Sequence, residues 1–491
     1  MKKVLETDVL IVGYGAAGAN AAIAAHDAGA RVLIVEKMPA GGGNSALCAG
    51  AMVIPESLEA AIAYYRALSS GTADEAMIRA FAAAMMDIPN LLRRLGVDYL
   101  DEPPIASSFP SRLPGSLRQM HIRPTGENGF RLLDGLVRAR NIEILTQTQV
   151  SALIVHPGSR AVLGAVAQRN GQQLELLARK AVILTCGGYG GNPDMLANFN
   201  LPGASGHVFS WGSPGNTGDG IHLATTAGAA LWHMAALEWG KFCARAPSHE
   251  FGTAVGYGLG RTRRAGSYLF VNQRGQRFMA EDAPLSHYKG PLDILRYDHR
   301  QAQYANLPAY MICDQAHLAM GALAPTAAMF RRQRGGVVGH ALVNGVYDWS
   351  EDNQAEIAAG WIMPALTIAA LAGTIGAAPE TLQATINLYN RACNEQCDTA
   401  FGRQGKTLRA FHTPPYYAVE LGLSLVNTQG GPRRNADCQV LDHCGSVIPR
   451  LYAAGELGSF FGFLYQIGSN YPEAWAFGQI AGKRAAAEST A

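Results

Sequence analysis

Gly13-Tyr14-Gly15-Ala16-Ala17-Gly18 and the acidic Glu36 are the residues whose types and spacing point most directly to chemistry. In a Gly-x-Gly-x-x-Gly pattern the first glycine allows a tight turn and the second lets the backbone approach a pyrophosphate. The third lets a helix pack closely on a strand. The pattern is informative only where a strand runs into a helix with an acidic residue about twenty positions on. Glu36 lies where a carboxylate accepts hydrogen bonds from a ribose diol, and its charge would repel a 2′-phosphate. The motif alone leaves FAD and NAD open. Two features favour FAD. Gly41-Gly42-Gly43-Asn44-Ser45 supplies further N–H groups and a hydroxyl near the phosphates, and Gly455-Glu456 ends a later strand with a carboxylate available to a ribityl chain.

The elements that must position these residues can be read from pattern. Residues 8–12 and 31–35 are short β-branched runs and predict buried strands. The alanine-rich segment Ala16 to Ala28 predicts the helix between them, closed by Gly29. Thr72 and Glu75 predict a capping box for a helix reaching about Gly96, kinked at Pro89. Ala152 to Val166 and Leu174 to Leu184 predict strands of a hairpin or small meander, the second running into Thr185-Cys186-Gly187-Gly188. From about Gly256 to Pro415 the texture changes to irregular loops and amphipathic helices. One of these is Pro379 to Cys397, with Leu382, Ile386, Leu388 and Tyr389 at helical spacing. Gly360 to Ala378 predicts a buried helix plus turn, being marginal for a membrane span. Strand–turn texture returns near Val440. The expectation is an α/β nucleotide domain, residues 1–255 and 418–491, interrupted by a second domain over 256–417.

Composition narrows the classes. A chain of 491 residues with net charge +2 lacks the concentrated basic surface that nucleic acid requires. Arg261, Arg263 and Arg264 form its densest basic stretch and read as a solvated or ligand-facing loop. The eight cysteines include no Cys-x-x-Cys pair. Cys393 and Cys397 share a predicted helix face without partners, so no metal site and only reduced thiols are expected, in a cytoplasmic protein. The apolar run Val9 to Gly13 reads as a strand and not a secretion signal.

These motifs, in order, resemble the fumarate reductase/succinate dehydrogenase flavoprotein family, in its soluble branch that includes 3-ketosteroid dehydrogenases. The resemblance rests on Gly13–Glu36, Gly42-Gly43-Asn44-Ser45 with Ala49-Gly50, and Gly187-Gly188-Tyr189-Gly190. It continues through Thr217-Gly218-Asp219-Gly220, Val271 to Phe278 with Glu281, Asp398 to Arg403, Thr428-Gln429-Gly430-Gly431 and Gly455-Glu456. It implies a Rossmann-like FAD-binding domain interrupted by an α+β cap domain, and hydride transfer between a substrate carbon and the flavin. Residues implied to touch FAD are Gly13, Gly15, Ala16, Ala17, Gly18, Glu36, Lys37, Gly42, Gly43, Asn44, Ser45, Gly50 and Val150. Gly187, Gly188, Asn216, Gly218, Asp219, Gly455, Glu456, Ser469 and Asn470 complete the set. Covalent members carry a histidine where Asn44 stands, so non-covalent FAD is expected.

The sequence departs from the family where dicarboxylates are held. Asn427 replaces the histidine of His-Thr-x-Gly-Gly, and Gln466 replaces the arginine of Asn-Arg-x-Gly-Gly-Asn. An uncharged or singly charged substrate is expected, best a ketone of steroid type, with an electron partner the sequence does not identify. Tyr465 lies near the family's catalytic tyrosine. Ser469 and the Gly468 N–H could hold a ketone oxygen, and Tyr288 or Tyr310 could contribute from the cap. His121 is a weaker candidate in a basic loop, and His233 is given no role. The alternative is a reductase of another unsaturated acid, with Arg261, Arg263 and Arg264 as its clamp.

Overall fold

The computed structural model describes residues 3–48, 50–101, 108, 117–122, 127–244, 257–258, 265–283, 290–324 and 349–490. Strand β1 (Lys3–Val12) ends in Val9, Leu10, Ile11 and Val12, all buried, the continuous apolar run of a parallel strand covered on both faces. Helix α1 (Ala16–Asp27) and strand β2 (Val32–Val35) complete the unit, with β1 and β2 parallel in the register Val9 to Val32. The helix closes before Gly29, whose φ of +87° favours glycine.

The sheet around β1 has the order Gln439–Leu441, Val447–Ala453, Gln172–Leu184, β1, β2, Glu143–Leu145. Val162–Arg169 and Thr148–Val155 extend it antiparallel from Gln172–Leu184. Of the expected hairpin or small meander, the structure forms the meander, with two strands joined by a turn over Ala152 to Val166. α1 is buried over Ala16–Ala25 because the helix Asn470–Ala487 lies against it. A Cβ on Gly478 would come within 2.5 Å of Ala17 O, and one on Gly482 within 2.2 Å of Ala21 O. Two glycines four residues apart therefore let the two backbones approach.

Other expectations are corrected. The helix Glu75–Arg94 is capped by Asp74, whose Oδ1 accepts from Met77 N at 2.8 Å, while the Thr72 hydroxyl turns to Ser69 O. The helix runs through Pro89, held on either side by a buried stripe that includes Phe81, Met85, Leu91 and Leu92. Gly360 to Ala378 forms a short strand, Ile362–Ala365, before the helix Ile368–Ile375. On the helix Pro379–Glu395, Leu382, Ile386 and Tyr389 are buried but Leu388 is exposed, and Cys397 lies beyond its end. No described helix is long and apolar enough to cross a membrane.

The chain divides into two compact units. One comprises Met1–Pro202, Gly212–Glu238 and Asn427–Ala491; the other comprises Gly203–Trp211 and Trp239–Val426. The interruption read from the sequence, 256–417, is shorter than the second unit. That unit is built on a seven-stranded sheet containing Tyr268–Asn272, Ala309–Asp314 and Tyr416–Thr428. Its strands come from distant segments, so local pattern displayed only its helices and loops.

Candidate active site

Gly13 turns the chain from β1 into α1 with φ +101°, and a Cβ there would lie 2.5 Å from Thr185 O. A Cβ on Gly18 would lie 2.2 Å from Gly13 O, so the helix enters as close to the strand as backbone allows. The first turn of α1 carries no acidic side chain, and Ser45 Oγ accepts from Ala16 N at 3.0 Å. The exposed Gly43 has open space where a Cβ would stand. Glu36 is aimed by two main-chain donors: Tyr14 N reaches Oε2 and Met38 N reaches Oε1, both at 2.8 Å. Each carboxylate oxygen keeps acceptor capacity for a ribose hydroxyl. The helix N-terminus, open glycine turn and aimed carboxylate fit the pyrophosphate and ribose of FAD.

Lys37 and Asp219 are paired with each other. Lys37 Nζ lies 2.9 Å from Asp219 Oδ2 and 2.6 Å from Thr217 Oγ1. Burial opposes ionisation of Asp219, but Thr217 and Lys37 outweigh it and hold the carboxyl below its ordinary value. The pair ties the end of β2 to the loop after Asn216. Asn216 and Val150 are buried, Gly50 and Gly218 have positive φ, and a Cβ on Gly187 would meet Asn216 Oδ1 at 2.5 Å.

Glu456 follows Gly455 at the end of Val447–Ala453. Its Oε2 accepts from Asn44 Nδ2 at 2.7 Å and its Oε1 from Thr428 N at 3.2 Å, while Asn44 Oδ1 accepts from Ser213 N at 2.7 Å. Gly188 packs against this cluster, where a Cβ would meet Thr428 Oγ1 at 2.0 Å. Burial pushes the Glu456 carboxyl up to about 7, against the opposing Asn44 and Thr428 hydrogen bonds. The folded protein therefore holds this proton more tightly than the unfolded chain, whose carboxyl titrates near 4.5. The stability it contributes is full below about 4.5 and declines as pH rises towards about 7. Glu456→Gln is expected to flatten the pH dependence of the thermal midpoint across that window, read by scanning calorimetry.

At the N-terminus of Asn470–Ala487 the main chain forms a nest. Tyr465 Oη accepts from Ser469 N and Asn470 N, each at 3.2 Å, and the Gly468 amide, in a turn with φ +80°, also acts on it. Burial pushes the phenol up and the Asn470, Ser469 and Gly468 amides pull it down; the net shift is upward, so the hydroxyl keeps its proton. Ser469 Oγ is buried beside Tyr65 Oη, and neither has a well-formed hydrogen bond among the described residues. Gln466 is buried, its Oε1 accepting from Tyr64 Oη at 2.5 Å and Ser108 N at 3.0 Å. Asn427 Nδ2 donates to Thr428 O and to Asn470 Oδ1. Asn470 and Gln429 exchange reciprocal carboxamide bonds of 3.0 and 2.9 Å. Beneath them Arg434 and Glu473 form a fully buried ion pair at 2.7 Å.

A family model described as an FAD binding domain matches residues 8–471. The chain belongs to this FAD-binding-domain family. A probable fumarate reductase of Shewanella frigidimarina is 27% identical, over 98% of this chain and 75% of that protein. A 3-oxosteroid 1-dehydrogenase of Mycobacterium tuberculosis is 25% identical over 93% of each. The crystal structure of a 3-ketosteroid delta1-dehydrogenase from Sterolibacterium denitrificans shares the fold, with TM-score 0.77 and 23% identity over 98% of this chain and 99% of that one. This member of the FAD-binding-domain family is an FAD-dependent oxidoreductase acting on C–C bonds.

Tyr310 is in the second unit, on Ala309–Asp314, against the apolar cluster of Leu269, Ile312 and Leu382. Tyr288, Arg261, Arg263 and Arg264 lie outside the described residues. His121 stands opposite Ala51 in a three-stranded sheet. His233, at φ +57°, stacks on Trp232 with Nδ1 2.8 Å from Ser459 O. Sequence reasoning overlooked Arg434 and Glu473. An arginine and a glutamate 39 positions apart carry no local signal of pairing.

Proposed function

We propose that this oxidoreductase forms or reduces a C–C double bond beside a ketone, on an uncharged substrate of ketosteroid type, with FAD held non-covalently. The observation that carries the reading is the state of Asn427 and Gln466. Both are neutral, and the Gln466 carboxamide is spent on Tyr64 and Ser108. A dicarboxylate placed there would lose its water without gaining an ion pair. The neighbouring Arg434 is taken by Glu473. The 3-oxosteroid 1-dehydrogenase relative supports the same substrate class. Asn44, bonded to Glu456 and Ser213, stands where covalent members have histidine, which supports non-covalent binding.

FAD, when bound, accepts or supplies the hydride. The residues of this chain handle the oxygen and the proton. The amides act on Tyr465 Oη as acceptor, and the protonated hydroxyl is the proposed donor to a substrate ketone. That donation stabilises the enolate-like oxygen as charge develops. Ser469 Oγ, buried at the same helix terminus, is a second donor. A base for the α-proton would come from Tyr288 or Tyr310, the two candidates that the resemblance offers within residues 256–417.

The test is Tyr465→Phe, assayed with a 3-ketosteroid and a dye acceptor. Turnover is expected to fall by roughly 10²–10⁴-fold, the span of general acid–base catalysis, at unchanged flavin content. Full turnover with normal flavin would remove Tyr465 from the mechanism.

A further inference from the structure

Tyr14 occupies a variable position of the glycine motif, yet it is almost fully buried and every part of it is engaged. Its N–H aims Glu36 at 2.8 Å, and its carbonyl accepts from Gly42 N at 2.7 Å. Its ring lies against Gly41, where an added Cβ would fall 2.2 Å from Cδ1. Phe130, from the helix Glu127–Ala139, meets the ring edge-on, with centroids 5.2 Å apart. The same Phe130 closes over Gly42, 3.4 Å from where a Cβ would stand. The Tyr14 hydroxyl donates to Asp134 Oδ1 at 2.7 Å, and Asp134 Oδ2 accepts from Arg138 Nε at 2.7 Å. Burial, and then the Asp134 carboxylate, hold the hydroxyl protonated as a donor.

We propose that Tyr14 is a positioning residue for FAD: its bond to Asp134 fastens the helix Glu127–Ala139 onto the Gly41–Ser45 turn that faces the pyrophosphate. Among the described residues the turn is hydrogen-bonded to the Gly13–Ala16 segment by Gly42 N to Tyr14 O and by Ala16 N to Ser45 Oγ. Gly43 within it has no atom within 4 Å of its Cβ position, so it gains little support from packing. The Tyr14 ring and the helix behind it supply that support from below. Removing the hydroxyl severs a charge-assisted bond and lets the helix and turn move apart, while the aim of Glu36, made by the main chain, persists. The expected defect is therefore retention of the cofactor and not the course of the reaction.

The experiment is FAD release from the purified holoenzyme after dilution, followed by the fluorescence of freed flavin. Tyr14→Phe is expected to weaken retention at least tenfold, as loss of a hydrogen bond to a charged group does. Asp134→Asn, which keeps an acceptor oxygen, should fall between it and wild type. Arg138→Met leaves the Tyr14–Asp134 bond in place and should stay within about twofold of wild type on the same scale. A purely architectural tyrosine would instead lower the thermal midpoint of FAD-free protein and leave retention unchanged. Retention within about twofold of wild type for both Tyr14→Phe and Asp134→Asn overturns the proposal. If Tyr14→Phe does not fold, Asp134→Asn decides alone. No substrate enters the measurement, so its outcome is separate from the ketone reading.

Discussion

Arg434→Met is expected to lower the thermal midpoint by on the order of 10 °C, because it leaves a buried carboxylate unpaired. Arg434 and Glu473 are both fully buried, with Nη2 2.7 Å from Oε1. Glu473 also accepts from Phe460 N at 2.9 Å and Ser459 Oγ at 2.7 Å. Arg434 Nε donates to Gly458 O at 2.9 Å, and its guanidinium lies 4.4 Å from the Phe477 ring centroid. The pair thus binds the 458–460 turn to the start of the helix that carries the nest. Breaking a buried pair from one side costs about 3–5 kcal/mol, whereas replacing both partners by apolar residues is often nearly neutral. The double variant Arg434→Met/Glu473→Leu should therefore recover much of the loss in calorimetry. A single variant as stable as wild type would show that the pair is not a fastening.

Gly13→Ala is expected to abolish flavin retention on purification. Its φ of +101° disfavours any side chain, and its Cβ would lie 2.5 Å from a backbone oxygen, Thr185 O, which cannot rotate away. Strain and overpacking each cost about 1–3 kcal/mol. The turn would open, carrying α1 away from β1 and spoiling the phosphate-facing amides. Gly29→Ala, at the far end of α1, is the contrast: with φ +87° and no atom within 4 Å, it carries only the backbone term. The ratio of flavin to protein absorbance in the two purified variants reads the difference.

The parts legible in the sequence were those whose signal is local. β1, α1 and β2 follow from two β-branched runs and an alanine helix, and Glu36 stands where their spacing placed it. The seven-stranded sheet was not legible. Its strands are short and pair across long separations, as Tyr310 does with Glu420. At the nest, the family resemblance pointed to Tyr465, Gly468 and Ser469. That the tyrosine oxygen receives amides from its own following turn depends on the positive φ of Gly468, which spacing does not encode. Lys37 shows the converse: beside a phosphate motif it invites assignment to the ligand, yet its charge is spent on Asp219, 182 positions away.

The central claim is an FAD-dependent reaction on an uncharged ketone, and anaerobic bleaching of the flavin tests it most directly. The oxidised holoenzyme is mixed with a saturated 3-ketosteroid or with succinate, and the reduced holoenzyme with the corresponding enone or with fumarate. The ketone pair is expected to change the flavin redox state and the dicarboxylate pair to leave it unaltered. Flavin oxidation by fumarate at a rate comparable to the enone would contradict it.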